Sequence, residues 1–186
     1  MKRIALFLAA IALAAAPVFA APLKVVTTIQ DLASLTKEVG GDRVDVSSIA
    51  RGYQDPHFVE PKPSFLLLLR NADLLEVVGL ELEIGWLPPL LDQSRNPNIL
   101  PGTKGYLDVS HGVEILDRPT VVNRSMGDVH PLGNPHFWLD PANAVRIAIQ
   151  IEQKLAELRP ADAPYFAQRL NAFKIRINEA NKRWLA

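Results

Sequence analysis

Two of the four histidines occupy one repeated frame. Asp55-Pro56-His57-Phe58 lies within DPHFVEP (55–61), and Asn134-Pro135-His136-Phe137 lies within NPHFWLDP (134–141). With this composition a second Pro-His-Phe arises by chance in about one chain in a hundred. A histidine that binds a metal must present an unprotonated ring nitrogen in a fixed direction, and stiff backbone beside it lowers the entropy lost on binding. Pro56 and Pro135 supply that stiffness directly before each ring and bias Asp55 and Asn134 toward extended backbone. Phe58 and Phe137 are expected to anchor each loop in the core, leaving the imidazoles facing outward. The pair therefore reads as two rigidly presented donors, although the residues alone also admit two ordinary loop histidines. Two imidazoles fall short of the four ligands of a structural zinc site, or the three plus an open position of a catalytic one.

The chain has no cysteine, so any metal site must be built from histidine and carboxylate. His130, in GDVHPLGNPH, shares a loop with His136 and stands near Asp128; it could add a ligand or be a solvated loop residue. His111, in DVSHGVEIL, has no patterned partner and reads as structural or surface. Asp55, Glu60, Asp128 and Asp140 are carboxylates near the histidine frames, and Asp140 before Pro141 reads as the cap of the next helix. There is no Gly-rich phosphate loop, no G-x-S-x-G and no H-E-x-x-H.

The elements that must position these loops alternate in hydrophobic period. LKVVTT from Leu23 reads as a buried strand. IQDLASLTKEVGG then places Ile29, Leu32, Leu35 and Val39 on one helical face, with Thr28 as N-cap and Gly40-Gly41 as the stop. RVDVSSIA reads as a second strand, RGYQDPHFVEPKPS as a loop, PSFLLLLRNA as a short helix and DLLEVVG as a third buried strand. This order, with near-continuous apolar strands, predicts an α/β fold: a parallel sheet covered by helices on both faces. Ligand sites in such sheets lie in loops beyond the C-terminal strand ends, where residues 51–62 would sit. Residues 83–94 read as a helix interrupted by Pro88-Pro89. Residues 95–135 are rich in Gly, Pro and Asn, with GYLDVS as a short strand-like piece. After Pro141, Val145, Ala148, Ile151, Leu155 and Leu158 recur at helical spacing. A last helix starts near Asp162 with the stripe Phe166, Leu170, Phe173, Ile177, Ala180 and Trp184, and it breaks off while still amphipathic.

In bulk, 48% hydrophobic and 22% charged residues over 186 positions describe a globular chain rather than a disordered one. Residues 1–20 read as a cleavable secretory signal: Lys2 and Arg3, an apolar run from Ile4 to Ala16, then Pro17-Val18-Phe19-Ala20. That run is too short for a stop-transfer helix. Cleavage after Ala20 leaves 18 basic against 20 acidic residues, so no broad basic face for nucleic acid is expected. Lacking cysteine, the chain has no disulfides and no lipid-anchoring N-terminal Cys, and it reads as a soluble periplasmic protein that does not span the membrane after cleavage.

The secretion signal, KVVTTIQDLASLTKEVGGDRVDV, DPHFVEPKPS, ADLLEVVGLELE and above all GDVHPLGNPHFWLDP resemble the zinc- and manganese-binding solute-binding proteins of bacterial ABC metal importers. The likeness runs along residues 23–186. It implies an N-terminal α/β metal-binding lobe over 21–160, with His57 and His136 as metal ligands, and the start of a long inter-lobe helix over 161–186. It also implies Zn²⁺ as cargo, with Mn²⁺ the alternative, and the importer's membrane permease as partner. The family's second lobe, which brings the remaining ligands, has no counterpart in the sequence, so the chain is expected to be a fragment or a truncated half. The implied action is capture and hand-over rather than catalysis. The rivals are an adhesion-type or degenerate lobe with an idle histidine pair, and a zinc hydrolase.

Overall fold

The computed structural model describes residues 20–119 and 130–185. Most of the expected signal segment, residues 1–19, and Asp128 lie outside the described residues.

Four parallel strands form one sheet: β1 (Leu23–Thr27), β2 (Val44–Ser48), β3 (Leu74–Val77) and β4 (Tyr106–Asp108), in the order β2-β1-β3-β4. The central strands β1 and β3 are covered on both faces, which is why their sequences are nearly continuous apolar runs. Alternate residues serve opposite layers. Val25, Leu74 and Val78 face α1 (Gln30–Gly40), α4 (Pro141–Leu158) and α5 (Ala163–Trp184), where they meet Leu32, Val39, Ile147, Ile151, Leu155 and Phe166. Val26, Leu75 and Val77 face α2 (Pro63–Arg70) and α3 (Leu87–Ser94), and pack with Leu69, Trp86, Leu90 and Ile99. The expected parallel α/β sheet with helices on both faces is present. Among the described residues no helix is long and apolar enough to cross a membrane.

Local expectations fared unevenly. Asp140 caps α4, its carboxylate accepting from the Ala142 N–H at 2.8 Å, with Pro141 in the first turn. Thr28 does not cap α1: Ile29 takes that position without a side-chain bond, because the Thr28 hydroxyl donates instead to buried Glu83 at 2.7 Å. Pro88-Pro89 do not interrupt a helix but open α3, where a missing N–H leaves no bond unmade. On α4 the buried stripe runs through Asn143, Ile147, Ala148, Ile151 and Leu155, with Val145 turned half out. On α5 only Phe166 and Leu170 are buried, against α1 and α4; Phe173 and Ile177 are half-buried and Trp184 is exposed. Twenty-two residues make a helix of roughly 33 Å, about twice the length of 11-residue α1 beneath it, so its later turns run past that support.

Candidate metal site

All four strands end at the same side of the sheet, and the histidine segments belong to its two edges: residues 49–62 follow β2, and described residues 109–119 and 130–140 lie in the chain after β4. The chain runs outward from β1 to β2, then crosses back to β3 on the other side. This reversal opens the crevice in which such sheets hold ligands.

Each histidine is locked by the residue two positions before it. The Asp55 carboxylate accepts from the His57 backbone N–H at 2.9 Å and lies 2.6 Å from His57 Nδ1. The Asn134 side-chain oxygen accepts from the His136 N–H at 3.0 Å and lies 3.0 Å from His136 Nδ1. An acceptor at Nδ1 holds the ring hydrogen there and leaves Nε2 with its lone pair, the tautomer a metal needs. Asn134 is itself oriented, since its Nδ2 donates to Asp117 at 3.1 Å. The proline in each frame keeps the acceptor and the ring on one side of a tight turn. The echo at 55–58 and 134–137 is thus a repeated clamp, of which Asp55 and Asn134 are working parts. Sequence reasoning gave both a backbone bias and counted Asp55 among the carboxylates near the frames, but it did not read the clamp, although an Asx two before each His was a readable sign; Asp117 had none.

The rings converge. Centroids of His57 and His136 are 5.2 Å apart, those of His57 and His130 are 5.0 Å, and those of His130 and His136 are 6.2 Å. His57 Nε2 lies 3.0 Å from His130 Nε2. The three rings, with Asp117 and Asn134, line one open cleft of about 330 Å³. As they stand, no group of three His, Asp or Glu among the described residues is arranged to hold an ion. Burial holds the His136 imidazole below its ordinary pKa, reinforced by the His57 and His130 rings and opposed by Asp55, so it stays neutral to lower pH. Asp55 is held below the ordinary carboxylate range, first by the His57 backbone N–H and then by the His57 ring.

The anchoring of the loops departs from expectation at one end. Phe137 is buried, but Phe58 is 72% exposed. The His57 loop is pinned instead by buried Val59 and by the Trp86 indole N–H, which donates to the Pro56 carbonyl at 2.8 Å. Buried Trp86 thus takes the anchoring role, while Phe58 faces solvent. The other loop turns sharply at Gly133, whose N–H donates to the His130 carbonyl at 3.1 Å while the Asn134 N–H reaches the Leu116 carbonyl at 2.9 Å. Gly133 has φ 111°, and a Cβ there would run into Ile115 and the Leu116 backbone. Glu83 ties the sheet end together, accepting from Thr28 Oγ1, the Val78 N–H and the Gly79 N–H, although burial still pushes its carboxyl upward. His111 is a surface residue, its side chain 80% exposed. Glu60 is exposed, and nothing places it at the rings.

Residues 25–186 match the family described as zinc-uptake complex component A, periplasmic (ZnuA). Among curated relatives, a manganese ABC transporter substrate-binding lipoprotein (PsaA) of Streptococcus mitis is 29% identical over 163 residues, covering 86% of this chain and 50% of its own. An iron ABC transporter substrate-binding lipoprotein (MtsA) of Streptococcus pyogenes is 28% identical, covering 86% and 49%. A zinc-bound deletion mutant of ZnuA superposes with a TM-score of 0.72 at 29% identity, covering 87% of this chain and 56% of that one. A manganese-bound periplasmic metal-binding protein from Candidatus Liberibacter asiaticus shares the fold, with a TM-score of 0.68 at 22% identity, covering 83% and 53%. The chain spans about half the length of the curated relatives it matches. With more than half of its length matched and its parallel sheet shared with solved members, the chain belongs to the ZnuA family of periplasmic zinc-uptake components.

Proposed function

We propose that this chain captures a divalent transition metal, Zn²⁺ foremost, in the periplasm and presents it to the membrane permease of an ABC importer. His57 and His136 are the ligands. The observation that carries the reading is the doubled clamp: two imidazoles in one cleft, each with Nδ1 engaged by an Asx side chain, which puts the ring lone pair on Nε2; that of His57 meets only the His130 ring in the same cleft. Relatives are named as substrate-binding proteins of metal ABC transporters, which supports capture and release rather than catalysis. Their names carry manganese and iron as well as zinc, so the choice of Zn²⁺ rests on the donors: imidazole suits zinc, whereas Mn²⁺ favours more oxygen ligands. In this reading residues 1–20 are a cleaved export signal, 21–160 form the metal-binding lobe, and 161–186 begin an inter-lobe helix.

A calorimetric Zn²⁺ titration of the purified protein, beside His57→Ala and His136→Ala, tests the proposal. One-to-one binding at or below micromolar, lost in both variants, is the expected result. A folded chain that binds no zinc, or variants that bind as well as the parent, would refute it.

A further inference from the structure

We propose that His130 is a third metal ligand, so that residues within this lobe present a three-imidazole site for a borderline divalent ion, with the fourth position open. This rests on the reading of His57 and His136 as ligands and extends it to a residue outside the repeated frame.

The argument is geometric. Two nitrogens bound to one tetrahedral zinc at 2.0–2.1 Å lie roughly 3.3 Å apart, and their ring centroids lie roughly 5 Å apart. His57 and His130 meet both conditions closely, with Nε2 atoms at 3.0 Å and centroids at 5.0 Å. His57 and His136 meet the second, at 5.2 Å. The His130–His136 pair, at 6.2 Å, is wide by about 1 Å, a gap that a small rotation of the His130 ring closes. His130 is well placed for such adjustment, because the turn closed by the Gly133 N–H sets its backbone while its side chain lies in the cleft.

The hydrogen bookkeeping is consistent. An Nε2···Nε2 contact needs a hydrogen on one ring. His57 already keeps its own at Nδ1 for Asp55, so His130 donates and His57 accepts. The hydrogen between the two nitrogens occupies the place an ion would take. When the ion enters, the neutral His130 ring carries its hydrogen on Nδ1 instead and turns its Nε2 lone pair inward, with no net gain or loss of protons. Three imidazoles and an open position suit Zn²⁺ and leave Mn²⁺, which wants more oxygens, at a disadvantage.

The experiment is a set of Zn²⁺, Mn²⁺ and Co²⁺ titrations of the purified protein and of His57→Ala, His136→Ala and His130→Ala, with circular dichroism confirming that each is folded. Losing an outer hydrogen-bond partner of a ligand typically costs 10–100-fold in affinity, so loss of a direct ligand is expected to cost about 100-fold or more for Zn²⁺. His130→Ala should also narrow the preference for Zn²⁺ over Mn²⁺ and weaken the visible absorption of the Co²⁺ form, as water replaces an imidazole in a higher-coordinate complex. Added imidazole should restore that absorption. Unchanged or tighter Zn²⁺ binding in His130→Ala, with both other variants inactive, overturns this inference and leaves the two-histidine reading standing. Binding that survives His57→Ala and His136→Ala overturns both.

Discussion

Glu76 offers the sharpest test of the energetics. It sits at the middle of β3, fully buried, with its side chain on the α1 face of the sheet. The Thr36 hydroxyl lies 2.8 Å from the Leu32 carbonyl and 2.6 Å from Glu76 Oε2, but it has only one hydrogen to give. If that hydrogen goes to Leu32, as the helix geometry favours, the short contact to Glu76 is completed by a proton on the carboxyl. Glu76 Oε1 has no hydrogen-bond partner among the described residues, so an ionised carboxylate would be poorly compensated. Burial accordingly raises its pKa from 4.5 to about 8. Below pH 4.5 both folded and unfolded chains hold the proton. Between 4.5 and 8 only the folded chain does, so stability falls as pH rises through that window and levels off above it. At 1.36 kcal/mol per pH unit the full loss is about 5 kcal/mol, an upper bound if local relaxation lets water in. Glu76→Gln keeps the volume, lets its amide donate to Thr36, and removes the titration. Urea unfolding followed by tryptophan fluorescence at several pH values should show the variant gaining on the parent by several kcal/mol between pH 5 and 8.5. The corresponding difference in Tm is roughly 10 °C or more. Parallel stability curves for the two proteins would refute the reasoning, because every other titrating group is common to both.

Three further outcomes follow from the site. Asn134→Ala removes the acceptor that fixes the His136 tautomer and should weaken Zn²⁺ binding about 10–100-fold by calorimetry, with little change in melting temperature. Trp86→Phe deletes the bond to the Pro56 carbonyl and leaves a cavity where the larger indole was buried, together costing about 2–4 kcal/mol in urea unfolding and speeding hydrogen exchange across residues 55–59. Gly133→Ala forces a side chain into a left-handed backbone site already crowded by Ile115. It should lower stability by about 1–3 kcal/mol and Zn²⁺ affinity with it, whereas the same change at open Gly102 should spare binding.

The buried pairs Glu76–Thr36 and Glu83–Thr28 place two carboxyls within the layers that carry the histidine loops. Glu83 differs from Glu76 in having backbone N–H donors at the end of β3, so it fastens the loop junction that supports Trp86, and through it the His57 turn. The rigidity of the His57 turn thus comes partly from polar groups outside the cleft.

The parallel sheet, its helical cover, the β4 strand and the α4 cap were legible in the sequence, because apolar period and capping chemistry act over a few residues and are written there directly. The two histidine frames were legible as stiff turns for the same reason, since proline acts on its immediate neighbours; the Asx clamp, though equally local, went unread. Other features depended on what the fold brings from afar. Thr28 is drawn from its helix to Glu83, 55 residues on, and the His57 turn is anchored by Trp86, 30 residues beyond Pro56, rather than by Phe58. His130 meets His57 across 73 residues, and Asp117 meets Asn134 across 17, at separations no local pattern encodes. Local chemistry set the tautomers of His57 and His136. Only the sheet, by carrying loops from its opposite edges to one end, decided that the rings share a cleft, since convergence is a property of packed layers rather than of spacing along the chain.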